Sequence, residues 1–154
     1  MPQQRALVVH ANCVYALAIL FYNKTMAYKV AIIEDEPVIS QMYRMKFEAE
    51  GFEVEVAENG EIGVEMVKNI RPDVILLDIK MPVMGGTEAL RQIRAAKWGK
   101  DIPVLVLTNV GEQEAPAALS KLNIHSYIVK ADYTPSQVTR RVKEALGLAV
   151  EDGQ

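Results

Sequence analysis

From residue 28 onward the chain alternates short apolar runs with segments of helical period, and that alternation constrains the fold more than any other feature of the sequence. The runs are YKVAIIE (28–34), EVEVA (53–57), DVILLD (73–78), PVLVLT (103–108) and HSYIV (125–129). DVILLD is apolar without interruption, which requires cover on both faces of a sheet and makes it the central strand. EVEVA alternates and reads as a strand nearer an edge. Strands separated by helices over short connections build parallel crossovers, so the expected fold is α/β: a doubly wound five-stranded parallel sheet with helices on both faces.

The intervening segments carry helix punctuation. Asp35 and Pro37 supply an N-cap and a first-turn proline, and Val38, Met42, Met45 and Ala49 fall at helical spacing before Gly51. Gly63, Met66, Val67 and Ile70 share a face that Pro72 ends. Leu90 and Ile93 mark a third helix running to about Trp98. A fourth helix, containing Pro116, is expected after PVLVLT, and Thr134 and Pro135 cap a fifth with Val138, Val142 and Ala145 inward.

In such sheets ligands sit at the carboxyl ends of the strands. There the first strand ends in Glu34, Asp35 and Glu36, the third in Asp78, the fourth in Thr108 and the fifth in Lys130. Carboxylates about 5 Å apart repel by roughly 3 kcal/mol per pair at an effective dielectric near 20. Glu34, Asp35 and Asp78 therefore need a cation or raised pKa values. Oxygen donors without a Cys/His set favour a hard ion, and Mg²⁺ is held by one or two carboxylates with waters and phosphate oxygens. Lys130 and Thr108 suit a phosphoryl group above Asp78, and an aspartate can itself be the acceptor.

These residues, in this order and spacing, resemble the receiver domain of two-component response regulators, of the single-domain, chemotaxis-regulator kind, over 28–147. VAIIEDE matches the acidic pair, LLDIKMPVMGG the phosphoacceptor and its loop, PVLVLT the switch hydroxyl, and YIVK the switch aromatic and lysine. The resemblance implies a flavodoxin-like strand order 2-1-3-4-5 with five helices. It implies that Asp78 accepts a phosphoryl group from a sensor histidine kinase or a histidine phosphotransfer protein. Asp35 would bind Mg²⁺ directly, Glu34 through water, and the main-chain carbonyl of Lys80 would complete the metal set with Asp78. Lys130 and Thr108 would engage the phosphoryl oxygens, and Tyr127 would rotate inward to alter a surface for a downstream protein. The resemblance further implies a cytoplasmic signalling protein that is no enzyme beyond its own phosphotransfer and autodephosphorylation.

The sequence departs from the family in places. Glu34 stands where many members have aspartate. Asn109 replaces a smaller residue after the threonine, and Lys80 and Val110 stand at positions resembling those that tune phosphoryl lifetime. Ala131 follows the lysine where the family has a cis proline; a cis bond before a non-proline residue costs about 2.5–4 kcal/mol, so a trans Lys130–Ala131 bond and a rearranged loop are expected.

Ahead of this unit, residues 1–27 form an apolar extension that reads differently. ALVVHANCVYALAILFY (6–22) carries no charge. At helical rise its seventeen residues span roughly 25 Å, short of a hydrocarbon core of about 30 Å. An extension ahead of the domain, a weak membrane anchor and a helix packed on the domain or a partner all fit; membrane contact is expected only if 6–22 anchors. At the other end 148–154 reads as a short tail, so output is expected to pass through a partner rather than an attached domain.

Composition excludes other classes. The 154 residues are 50% apolar and 24% charged, the balance of a folded chain with room for one domain. A net charge of −3 is the wrong sign for neutralising nucleic-acid phosphates. One cysteine, Cys13, and two distant histidines, His10 and His125, provide neither an internal disulfide nor a zinc site. No GxxxxGK loop or GxGxxG turn is present. Two alternatives share the residues: a Mg²⁺-dependent small-molecule phosphatase, which would place a second acid where Lys80 stands, and a non-phosphorylated adaptor of the same fold.

Overall fold

A computed structural model describes residues 27–150. Five parallel strands form one sheet in the order β2-β1-β3-β4-β5. They are β1 (Lys29–Ile33), β2 (Glu53–Ala57), β3 (Val74–Leu77), β4 (Val104–Thr108) and β5 (Ser126–Val129). Four α-helices connect or follow them: α1 (Pro37–Ala49), α2 (Gly60–Ile70), α3 (Gly86–Ala95) and α4 (Pro135–Ala145). The expected doubly wound sheet and its strand order are therefore present, with EVEVA at one edge and DVILLD inside.

Every residue of β3 and β4 is buried, because helices cover both faces. One face packs Phe47, Phe52, Val138 and Val142 against the sheet. Phe47 meets Phe52 edge-on, with ring centroids 5.7 Å apart. The opposite face holds Val67, Leu90 and Ile93. The interior is thus two apolar layers with the sheet between them.

Four expectations are corrected. Four α-helices stand where five were expected: between β4 and β5 the chain makes only two 3₁₀ turns, Glu112–Glu114 and Ala117–Lys121. Pro116 has no N–H to continue a helix and forces Ala115 into extended backbone, at φ −59° and ψ 138°. The third helix stops at Ala95, short of Trp98. The N-cap of α1 is Glu36, with Pro37 in the first turn, so Asp35 is left outside the helix. The inward face of α1 is also not the expected one. Ser40, Tyr43 and Phe47 are buried, while Val38 is 80% and Met45 63% exposed. Both stripes recur at helical spacing, and the sheet accepts the one with the aromatic rings.

The expected cap of α4 is found. Thr134 Oγ1 accepts the N–H of Gln137, and the Gln137 side chain accepts the N–H of Thr134. No described peptide bond is cis, so Lys130–Ala131 is trans, and the loop beyond it forms a short 3₁₀ turn, Lys130–Asp132. Among the described residues no helix is long and apolar enough to cross a membrane. The readings made for residues 1–26, including the 6–22 anchor, lie outside the described residues, as do residues 151–154 of the tail.

Candidate functional site

Parallel strands point their carboxyl ends the same way, so residues far apart in sequence collect at one edge of the sheet. Ile32 pairs with Leu76, Leu76 with Leu105, and Val106 with Tyr127, which aligns the ends of β1, β3, β4 and β5. Glu34 and Asp35 leave β1, Asp78 leaves β3, Thr108 closes β4 and Lys130 follows β5. All five lie at that edge.

Glu34, Asp78 and Thr108 are buried, at 4%, 6% and 1% exposure, and Asp35 is half-buried. One carboxylate oxygen from each of Glu34, Asp35 and Asp78 lies within 4.8 Å of the others. Lys130 answers part of that negative charge. Its Nζ lies 2.6 Å from Glu34 Oε2 and 3.1 Å from Asp78 Oδ2, with Glu36 at 3.8 Å. The remaining oxygens of the two buried acids are also engaged: Ile79 N–H donates to Asp78 Oδ1 at 2.6 Å, and Glu36 N–H donates to Glu34 Oε1 at 3.1 Å.

The electrostatics follow from this packing. Burial pushes the Glu34 carboxyl above its ordinary range, against the pull of Lys130 and the Glu36 amide. Burial alone would lower the Lys130 ammonium, but its bonds and charges from Glu34 and Asp78 outweigh that and hold it above the usual lysine range. Lys130 therefore stays charged at neutral pH. One ammonium faces three carboxylates, and the surplus negative charge is what a divalent cation would offset.

The donor set fits Mg²⁺. It consists of carboxylate oxygens without sulfur or imidazole, and ligand oxygens around Mg²⁺ at 2.0–2.1 Å stand at most about 4.2 Å apart, close to the spread observed. Lys80 lies two residues past Asp78 with its side chain exposed. The loop that carries it is drawn tightly against Asp78. Gly86 N–H donates to the Ile79 carbonyl at 2.8 Å, and a Cβ on Gly86 would overlap the Asp78 carbonyl oxygen. Val83, in the same loop, sits at φ +65°, a left-handed conformation that strains a β-branched residue.

Thr108 and Tyr127 meet at one residue. Val110 N–H approaches Thr108 Oγ1 at 3.4 Å, and the Tyr127 hydroxyl donates to the Val110 carbonyl at 2.8 Å. Burial, with Glu112, Asp78 and Glu114 nearby, raises the Tyr127 phenol. Asn109 between them is exposed. The structure thus gathers Glu34, Asp35, Asp78 and Lys130 into one cluster and sets Thr108 beside Tyr127 through Val110. Sequence reasoning did not give a role to Glu36, whose amide and carboxylate both face the cluster, although the acidic triplet was visible. It also had no means of finding the Val110 carbonyl, since any residue supplies one.

Comparison with known proteins agrees with this geometry. Residues 30–143 match the model of the family described as response regulator receiver domain. The transcriptional regulatory protein ResD of Bacillus subtilis is 34% identical over 124 residues, covering 80% of this chain and 50% of ResD. The chain thus spans about half the length of that relative, and 22% of the regulatory protein AtoC of Escherichia coli. Among solved structures, the chemotaxis response regulator CheY4 of Vibrio cholerae superposes with a TM-score of 0.72 at 28% identity, over 79% of this chain and 100% of that one. The receiver domain of the Pseudomonas aeruginosa sensor histidine kinase PA1611, solved with a magnesium ion in its active-site cleft, also gives 0.72, at 25% identity over 79% of this chain and 98% of that one. With the family match extending over well more than half of its length, the chain belongs to the response regulator receiver domains, the phosphoacceptor signalling modules of two-component systems.

Proposed function

We propose that residues 28–147 form a receiver unit in which Asp78 accepts a phosphoryl group from a phosphohistidine of a sensor kinase or phosphotransfer protein, and that phosphorylation switches a protein-interaction surface. The observation that carries this reading is the buried carboxylate of Asp78 at a strand end, set between an acidic pair and a charged lysine. Such a carboxylate is held in place by Lys130, whose Nζ lies 3.1 Å from its Oδ2, which positions the acid as a nucleophile. Its oxygen forms a bond to phosphorus as the bond from phosphorus to the donor imidazole breaks, and the histidine leaves with its nitrogen lone pair.

Asp35, Glu34, Asp78 and the main-chain carbonyl of Lys80 would hold Mg²⁺, which when bound neutralises charge on the transferring group. Lys130, already bonded to Asp78 Oδ2, is within reach of a phosphoryl oxygen carried there. The 3.4 Å contact from Val110 leaves the Thr108 hydroxyl weakly held and free to turn toward that group. Because the Tyr127 hydroxyl is bonded to the same Val110, motion at Thr108 is felt at the ring. Tyr127 then alters the surface around β5 and α4.

The test is labelling by acetyl phosphate with Mg²⁺, read by intact mass and by phosphate-affinity gel. Wild type acquires one phosphoryl group and Asp78→Asn none. Equal labelling of Asp78→Asn refutes the assignment. Thr108→Ala is labelled but does not show the change in Tyr127 environment that phosphorylation gives in the wild type.

A further inference from the structure

The carboxyl ends of the strands collect acids, and the amino ends of the same sheet collect cations. Main-chain bonds hold those amino ends side by side. Asp73 N–H donates to the Lys29 carbonyl and Ile75 N–H to the Pro103 carbonyl, both at 2.9 Å, and His125 N–H donates to the Val104 carbonyl at 2.8 Å. On the side covered by α2 and α3, five exposed cations stand at this edge: Lys68, Arg71, Lys97, Lys100 and Lys121. Contacts tie their segments together. The Arg71 guanidinium lies 5.3 Å from the centre of the Trp98 ring, and its Nε donates to the Lys68 carbonyl at 2.7 Å. Arg94 donates to the carbonyls of Gly99, Leu122 and Asn123, so one guanidinium joins segment 97–100 to segment 121–123. The acids on this side are fewer and engaged: Asp73 Oδ2 accepts the Lys29 N–H at 2.7 Å, Glu65 pairs with Lys68 at 3.5 Å, and the charge of Asp101 acts on Arg94.

The edge therefore keeps a positive surplus although the whole chain is at −3. The five residues of β1 span about 16 Å, roughly twice the screening length of about 8 Å at physiological salt, so the acids around Asp78 do not cancel it. Trp98 is half-buried between Lys97 and Lys100 and adds an amphipathic ring of the kind that settles at a lipid–water boundary. The order of the chain selects among polyanions. It enters the sheet at Lys29, on this same edge, and residues 23–28 alone separate that point from the uncharged run 6–22. A group of about four to eight Lys and Arg close to an apolar stretch is the pattern that meets anionic lipid headgroups. We propose that the amino-end edge of the sheet, from Lys68 to Lys121 around Trp98, is a contact surface for an anionic bilayer. A flat layer touches this edge and leaves the acidic one facing water. The surface does not depend on the phosphoacceptor reading, since Asp78 lies at the opposite edge.

Trp98 is the one tryptophan of the chain, so its emission reports on this edge alone. The full chain is mixed with vesicles of phosphatidylcholine, or of phosphatidylcholine with phosphatidylglycerol, each containing a lipid whose headgroup bears a spin label that quenches a nearby indole. Sedimentation measures the bound fraction. The expected result is binding to the anionic vesicles with quenching of Trp98, weaker binding to the neutral ones, and release from the anionic vesicles as salt is raised. Each lysine at such a surface contributes a factor of about five, so Lys97→Gln with Lys100→Gln weakens binding to the anionic vesicles about 25-fold, and Lys68→Gln with Lys121→Gln does the same. Lys80→Gln, at the opposite edge, leaves it unchanged. All five lysines are exposed, so the variants fold, which a denaturation curve verifies. Equal binding to neutral and anionic vesicles, binding without quenching of Trp98, lysine pairs that bind as the wild type does, or no binding at all overturns the proposal. Single-stranded DNA that alters Trp98 emission at a lower phosphate concentration than the vesicles would assign the edge to a nucleic acid, and also overturns it.

Discussion

Replacing Lys130 with Met tests whether one ammonium holds the acidic cluster together. Lys130 and Glu34 are almost fully withdrawn from water, at 9% and 3% side-chain exposure, so the change is not screened as a surface charge would be. The variant leaves Glu34 and Asp78 with oxygens within 4.8 Å of each other and no counter-charge. At an effective dielectric of 20 that single repulsion is about 3.5 kcal/mol, in the range of about 3–5 kcal/mol seen when a buried pair loses one partner. The expected loss of stability at pH 8 without divalent ion is therefore about 3 kcal/mol or more, a large share of the total for a domain of this size. The loss depends on pH with a definite sign. Glu34 is already raised by burial in the wild type, so the folded state holds more protons than the unfolded one and stability falls as pH rises above the ordinary carboxylate range. Removing Lys130, which pulls the Glu34 carboxyl down, raises it further and steepens that fall, so the variant recovers part of its deficit between pH 8 and pH 5. Mg²⁺ replaces the missing positive charge and stabilises Lys130→Met more than the wild type. Urea denaturation at both pH values, with and without Mg²⁺, measures all three effects. A deficit below about 1 kcal/mol at pH 8, or one unchanged by both pH and Mg²⁺, refutes the electrostatic argument.

Three further outcomes follow from named contacts. Val83→Asn, which tolerates the φ of +65°, raises stability by about 1 kcal/mol in denaturant melts. Gly86→Ala forces the loop away from the Asp78 carbonyl, with a loss of about 1–3 kcal/mol and weakened Mg²⁺ binding by titration calorimetry. Arg94 ties α3 to the segment ahead of β5 by donating to the carbonyls of Gly99, Leu122 and Asn123 at 2.7, 2.9 and 3.0 Å. Arg94→Ala costs about 2–3 kcal/mol and speeds amide exchange over residues 122–125, whereas a change confined to α3 would show that the tie is not what orders that segment.

Much of the fold and of the site is legible in the sequence, for physical reasons that also mark where it is not. Uninterrupted apolar runs such as DVILLD identify strands covered on both sides, because no other environment accepts every side chain. The polar residues directly after those runs mark the site for the same reason: a parallel sheet brings its strand ends together. The composition of the segment after β4 allows a helix, yet Pro116 removes a hydrogen bond and restricts Ala115, and this local steric effect outweighs composition.

The sheet, its edge and centre, and the set of groups at its carboxyl end are legible in the residues alone, since they depend on burial patterns carried by each strand. Which of two equally periodic stripes of α1 faces inward is a matter of packing, because the choice rests on how Tyr43 and Phe47 fit beside Phe52. Packing also sets how Lys130 divides itself, closer to Glu34 than to Asp78, and makes Thr108 and Tyr127 share Val110. Pairing distances between residues tens of positions apart are set by packing across the sheet, and no local pattern encodes them.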